Sequence, residues 1–189
     1  MKRIVLFASG SGSNVENIEQ YFRDNSEVSI SCVLSNKKDA KVFERCNRLN
    51  LNALYFNRHA FYGSDCVLNI LKSLNPDLIV LAGFLWKIPD NLICSYPNKI
   101  INIHPALLPK YGGKGMYGMH VHEAVKNNNE VETGITIHYV NENYDEGAII
   151  KQAKVALSPN DTLEMIAEKV HHLEYEHFPK VIEQVLMGT

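Results

Sequence analysis

The sequence predicts an α/β fold: a mostly parallel central sheet flanked by helices, Rossmann-like in its N-terminal half. Three observations predict it. Through the first hundred residues short β-branched runs alternate with amphipathic stretches, the pattern of parallel strands joined by crossover helices. The run Leu78-Ile79-Val80-Leu81 is apolar at every position, as a strand covered on both faces must be. The first apolar run passes directly into Ser9-Gly10-Ser11-Gly12-Ser13-Asn14, a glycine loop of the kind that turns a strand into a helix.

Taken in order, the expected strands are Ile4–Ala8, Val28–Leu34, Ala53–Phe56, Leu78–Ala82 and Ile100–Ile103. Helices are expected at Asn14–Arg23, opening at a Ser13-Asn14 cap, at Ala40–Asn50, and at Asp65–Leu74, ending just before Pro76. Pro105–Met119 is rich in Gly and Pro and has no periodicity, so it reads as a long, functional loop. Two further strands, Gly134–Val140 and Ala148–Leu157, flank a polar turn from Asn141 to Gly147. The last helix runs from Asp161 to Met187, with an apolar stripe of Leu163, Ile166, Val170 and Leu173 facing the core. Pro179 is expected to kink or divide it.

No repeat or linker interrupts the chain, so residues 1–189 read as one domain. Hydrophobic residues make up 46% and charged residues 21%, enough to bury a core without staples. The formal net charge is −2, so nothing global points to nucleic acid or an anionic membrane. A bound anion must be held by a local device. The longest apolar stretch, Leu78 to Trp86, is too short to span a bilayer and contains Gly83. Met1-Lys2-Arg3 followed by an apolar run resembles a signal peptide superficially, but the run is short and reads better as a strand feeding the loop. Cys32, Cys46, Cys66 and Cys94 are widely spaced with no C-x-x-C pair, as expected of reduced thiols in a cytoplasmic protein.

The glycine loop offers backbone N–H groups and a helix dipole to an anion, and Ser11, Ser13 and Asn14 add hydroxyl and amide donors. The plainer reading is a tight turn with an ordinary helix cap. A dinucleotide fingerprint fits badly: its third glycine would fall at Val15, and Ser35-Asn36 stands where an acidic residue should end the second strand. A monophosphate is the more economical ligand.

The richest segment is Ile101-Asn102-Ile103-His104-Pro105-Ala106-Leu107-Leu108-Pro109. On a strand, Asn102 and His104 share a face one pleat apart, at the carboxyl end where open α/β sheets bind ligands. An amide beside an imidazole suits acyl transfer: one stabilises an oxyanion, and the other manages the proton of an attacking amine. Asp145 lies in the turn between the last two strands; beside His104 it would favour the imidazolium and raise that pKa. His120 and His122 form an H-x-H pair without a Cys or carboxylate cluster at ligand spacing, so no metal is expected.

Together the Gly-Ser-Gly-Ser-Asn loop, Leu81-Ala82-Gly83-Phe84, the Asn-x-His-Pro-x-Leu-Leu-Pro segment and Asp145-Glu146-Gly147 resemble the folate-dependent glycinamide ribonucleotide formyltransferases of purine biosynthesis. The resemblance covers nearly the whole chain. It implies the formyltransferase fold, with residues 1–100 as the phosphate-substrate half and 101–189 as the catalytic and folate half. It implies that Asn102 and His104 stabilise and protonate a tetrahedral intermediate, with Asp145 tuning His104 or a water. Gly12, Ser13 and Asn14 match positions that hold the substrate phosphate; Glu174, and with it His171, matches a position contacting glycinamide ribonucleotide. Leu85, Trp86, Lys87 and Ile88 match the segment receiving the pterin, with Asn102 beside it and the turn from Asn141 to Asp145, Tyr144 included, closing over it.

The co-substrate implied is 10-formyltetrahydrofolate, with no metal, no nucleic acid and no membrane, and the protein a monomer or homodimer. Two departures stand out. The family's usual Arg near Gly63-Ser64-Asp65, which meets the folate tail, is absent, Arg58 being the nearest. Trp86-Lys87 replaces a pair that usually ends in Arg. Methionyl-tRNA formyltransferases and formyltetrahydrofolate hydrolases share the Asn-His-Asp set but carry extra domains, and a sugar-amine formyltransferase should show a different first loop. A Rossmann-type nucleotide-binding module or dehydrogenase would leave Asn102, His104 and Asp145 without a role.

Overall fold

A computed structural model describes residues 1–188. Strands β1 (Lys2–Ala8), β2 (Val28–Ser35), β3 (Ala53–Tyr55), β4 (Leu78–Leu81), β5 (Ile100–His104), β6 (Glu132–Tyr139) and β7 (Ile149–Ala156) form one sheet in the order β3-β2-β1-β4-β5-β6-β7. The first five are parallel, and β6 and β7 are added antiparallel. Chain direction across the sheet reverses between β1 and β4. The two strands stay paired to their carboxyl ends, but the chain leaves β1 toward one face of the sheet and β4 toward the other, and the crevice between those connections is the usual ligand position in open α/β sheets.

Alternation along the strands sorts the core into two layers. Ile4, Leu6, Val80, Ile101, Ile103, Ile135 and Ile137 face α1 (Ser13–Phe22) and α6 (Leu163–Met187). Val5, Phe7, Ile79, Leu81 and Ile100 face α3 (Cys66–Leu74) and α4 (Asp90–Ser95) on the other side. Both faces of β4 are therefore buried, as its uniform apolarity required.

Several local expectations need correction. α2 is shorter than expected (Val42–Arg48); at its end Leu49 (φ −92°, ψ 4°) and Asn50 (φ 55°) leave the helical path. The N-cap of α1 is Gly12 at φ 75°, with no side-chain cap from Ser13 or Asn14. A Cβ at Gly12 would lie 2.4 Å from Cγ2 of Val42, so the close approach of α2 demands glycine there. Helix α6 begins after Asp161, at the Thr162 cap, whose hydroxyl accepts from the Met165 amide at 3.2 Å. It then runs undivided through Pro179. Proline removes the N–H that would reach the Tyr175 carbonyl, and the Asn17 side chain of α1 donates to that carbonyl instead, at 3.0 Å. The sequence pattern also missed α4, a π-helical turn at His59–Gly63, and α5 (Met119–Asn127). No helix among the described residues is long and apolar enough to cross a membrane.

Candidate active site

The crevice opens into a cleft of about 580 Å³. It is lined by the loop after β1, the segment after β4, the end of β5, the Gly113–Gly118 loop, the 141–145 turn, and one face of α5 and α6. Every residue that the family resemblance assigned to the site lines it: Gly12, Ser13, Asn14, Leu85, Trp86, Lys87, Ile88, Asn102, His104, Asn141, Tyr144, Asp145, His171 and Glu174.

The floor is set by strand pairing. Asn102 is opposite His138 and His104 is opposite Thr136 across the β5–β6 ladder, so all four point to one face while Ile101, Ile103, Ile135 and Ile137 point to the other. Thr136 pins the chain beneath the site. Its hydroxyl donates to Ala106 O at 2.7 Å and accepts from Leu108 N at 3.0 Å, with Gln152 of β7 donating to the same oxygen at 2.9 Å.

Hydrogen bonds assign the imidazole tautomers. His138 Nδ1 lies 2.8 Å from the Tyr139 carbonyl, which can only accept, so Nδ1 carries the proton. Nε2 is then a lone pair, and it accepts from Asn102 Nδ2 at 3.1 Å. This fixes which way the Asn102 amide faces and leaves its second N–H free. His104 is held the other way round: Nε2–H donates to Tyr111 O at 2.8 Å, so the lone pair of the neutral ring is on Nδ1. That atom is 3.6 Å from Oδ2 of Asp145, while Oδ1 of Asp145 is 3.7 Å from His138 Nε2.

Asp145 is aimed by its backbone, which adopts φ 56° in the turn, and by the Gly113 amide, which donates to Oδ2 at 2.9 Å. Two residues on, a side chain at Gly147 would collide with the Tyr139 carbonyl at 1.6 Å, so only glycine permits the turn to fold back over β6.

Burial drives the nearby titratable groups toward neutrality. It lowers the His104 pKa below the ordinary 6.5, outweighing Asp145 and the Tyr111 carbonyl, which both raise it. Asp145 does raise this pKa as expected of a neighbouring carboxylate, but the desolvation of a ring 3% exposed outweighs it. Burial also lowers His138 and His171, and it takes His122, which lies beside His171 and His104, to about 4. Glu174 is pushed up to about 7 by burial, against the opposing donation from Asn14 Nδ2 to its Oε2 at 2.9 Å.

At the loop end, no protein partner is bonded by the amide N–H groups of Gly10, Ser11, Gly12, Ser13 or Asn14 among the described residues. They belong to residues that line the cleft, with Lys37 beside them. At the other end, Lys87 Nζ lies 6.0 Å over the Tyr144 ring, joining the segment after β4 to the 141–145 turn. Arg58 sits outside this lining, with its guanidinium 5.0 Å over Tyr62 and 5.7 Å over Trp86.

Sequence reasoning missed His138 and His122. The signal for His138 was the alternation Ile135-Thr136-Ile137-His138, whose polar residues had to share a face with something polar on a neighbouring strand. His122 was read only as half of an H-x-H pair, but α5 sends the two apart. His120 is exposed beside Glu123, whereas His122 is buried at the cleft with Nδ1 unpartnered. No group of three or more His, Cys, Asp or Glu among the described residues is placed to hold a metal ion.

The formyl transferase family profile matches residues 2–182. The phosphoribosylglycinamide formyltransferase of Bacillus subtilis is 37% identical over 193 residues, covering 98% of this chain and 95% of that protein. The chloroplastic phosphoribosylglycinamide formyltransferase of Arabidopsis thaliana is 37% identical over 96% of this chain, which spans 64% of that relative's length. Among solved structures, glycinamide ribonucleotide transformylase 1 of Symbiobacterium toebii superposes with a TM-score of 0.90 at 30% identity, covering 100% of this chain and 89% of that one. Its counterpart from Geobacillus kaustophilus gives 0.89 at 34% identity, covering 98% and 99%.

Proposed function

The chain belongs to the formyl transferase family, on its phosphoribosylglycinamide formyltransferase branch, and we propose that it moves the formyl group of 10-formyltetrahydrofolate to the amine of phosphoribosylglycinamide in purine biosynthesis. The observation that carries the reading is the oriented Asn102–His138 pair beside a neutral, buried His104 faced by Asp145. In this reading residues 1–189 act as a single formyltransferase domain, cytoplasmic, as a monomer or homodimer on small molecules.

The cleft fits the two substrates by chemistry. A phosphate suits the unbonded amides of Gly12, Ser13 and Asn14, and the ribosyl hydroxyls suit Glu174 with His171 next to it. A pterin ring suits the segment Leu85, Trp86, Lys87 and Ile88, where Ile88 is buried and supplies apolar wall, with Asn141 and Tyr144 across from it. The two reactants meet over Asn102 and His104. Holding them in register there removes much of the entropic barrier.

The reaction forms a bond from the amine nitrogen to the formyl carbon and breaks the bond from that carbon to N10 of the folate. One amine proton must leave and N10 must gain one. Asn102 presents its free N–H to the formyl oxygen as it becomes an oxyanion. His104, neutral before reaction, takes the amine proton on Nδ1, and Asp145 stabilises the imidazolium for as long as it exists. The same Nδ1–H then returns the proton to N10. No covalent enzyme intermediate is needed.

Purified protein given both substrates should form 10-formyl-dependent product and tetrahydrofolate, followed by absorbance, with no turnover when either substrate is omitted. Folate deformylation without the amine would overturn the transferase reading in favour of a hydrolase.

A further inference from the structure

The loop that ends β1 is wired to α2 in a way the formyl transfer mechanism does not use. The carbonyls of Gly10, Ser11 and Gly12 are engaged. Gly10 O accepts from Val42 N at 3.1 Å, Ser11 O accepts from Arg45 Nε at 2.7 Å, and Gly12 O accepts from Glu16 N at 3.0 Å. The amides of the same residues remain free, so the loop shows an anion only its positive edge.

Arg45 does a second thing. Glu16 sits in the first turn of α1, where a carboxylate would oppose any anion at the helix start. The Arg45 and Arg48 guanidiniums both pair with Glu16, one oxygen each. The Arg45 and Glu16 side chains are 32% and 20% exposed, too enclosed for solvent to screen the pair as it would a surface contact.

We propose that Arg45 is the positioning residue of the phosphate end of the cleft, holding the Ser11 carbonyl and the Glu16 carboxylate against α2 so that the loop amides meet the anion unopposed. The proposal rests on the reading of this loop as the phosphate site. Arg45 touches no substrate. Without it the Ser11 peptide is free to turn its oxygen toward the cleft, and half of the charge that neutralises Glu16 is gone. Arg48 separates the two effects, because it pairs with Glu16 and makes no bond to the loop.

The test is calorimetric titration of the full chain with phosphoribosylglycinamide, alongside steady-state kinetics, for Arg45→Met, Arg45→Lys and Arg48→Met. In Arg45→Met the Kd and KM for the phosphorylated amine should rise about tenfold or more, the scale of losing a charge-assisted hydrogen bond. The kcat at saturation and the KM for the folate should stay within about twofold, since a transition-state defect would lower kcat and a uniform binding defect does not. Arg45→Lys should fall between, keeping the charge but not the Nε–H bond, and it carries the test if the methionine variant does not fold. Arg48→Met, which removes a Glu16 contact but no bond to the loop, should weaken binding clearly less than Arg45→Met. An Arg45→Lys that binds like the parent, or an Arg45→Met no weaker than Arg48→Met, would overturn the proposal while leaving the phosphate site standing. Failure of the parent protein to bind the phosphorylated amine would overturn the site and the proposal together.

Discussion

The two ends of the cleft are made of different material. At the end proposed to hold the phosphate the backbone would make the contacts, and side chains around it hold the backbone still: Val42 against Gly12 and Arg45 on Ser11. At the end proposed for the chemistry side chains would make the contacts, and the backbone brings residues far apart in sequence to one face: Asn102 beside His138, and His104 beside Asp145. A backbone site should tolerate changes of side chain but not of φ. A side-chain site should do the opposite, and its loss should fall on the chemical step rather than on binding.

The largest effect belongs to the chemical end. Replacing Asn102 by Ala should lower kcat by about 10²–10³, the usual consequence of losing one oxyanion donor, with the KM for the phosphorylated amine little changed. Equal losses in kcat and in binding would break the division between the ends.

Asp145→Asn sharpens the same point through pH. Burial holds the His104 pKa below 6.5 while Asp145 raises it, so removing the carboxylate lowers it further. If His104 must be neutral to accept the proton, kcat falls as pH drops through that pKa, and the acid limb of the Asp145→Asn profile should shift to lower pH. The plateau should also fall, by about 10²-fold within the usual range for acid–base support, because the imidazolium loses its partner. An unshifted or alkaline-shifted limb would contradict the assignment.

Gly12→Ala tests the backbone end. The left-handed φ of 75° and the contact with Val42 both oppose a Cβ, at a cost of about 1–2 kcal/mol for the backbone alone. The KM for the phosphorylated amine should rise with kcat at saturation nearly kept, and a second change, Val42→Ala, should restore part of the loss. No recovery would mean that α2 does not set the loop.

The smallest effect concerns stability. Glu174 binds its proton more tightly folded, near pH 7, than unfolded, near 4.5. Its contribution is therefore fully present below about 4.5, is lost as pH rises, and is gone above about 7. Glu174→Gln should flatten the melting temperature across that window and leave the variant a few degrees ahead of the parent at pH 8. Parallel curves would contradict a buried, proton-binding Glu174.

The same contrast explains what was legible in the sequence. The glycine loop and the Asn-x-His-Pro segment are contiguous, so their chemistry can be read along the chain; strand positions and the parallel half followed from the apolar runs, whereas strand order did not. His138 lies 36 residues from Asn102, and only the antiparallel register of β6 on β5 makes them partners. Helix α5 escaped because its buried stripe is only Val121, His122 and Val125, following a glycine-rich loop that hides its start. Pro179 was read by its local rule as a break. The rule gave way because a side chain on another helix, Asn17, took over the orphaned carbonyl, a compensation that no local pattern contains. The lowered His104 pKa was hidden for a related reason, since its sign depends on how deeply the completed cleft desolvates the ring.

The most direct measurement of the central claim is the single-turnover rate of formyl transfer with both substrates saturating, for the parent chain, His104→Ala and Gly12→Ala. The account predicts that His104→Ala binds both substrates and loses about 10²–10³ in the chemical step, as expected for a positioned acid–base group. Gly12→Ala should keep that step once saturated. A His104→Ala rate within a few-fold of the parent would contradict it.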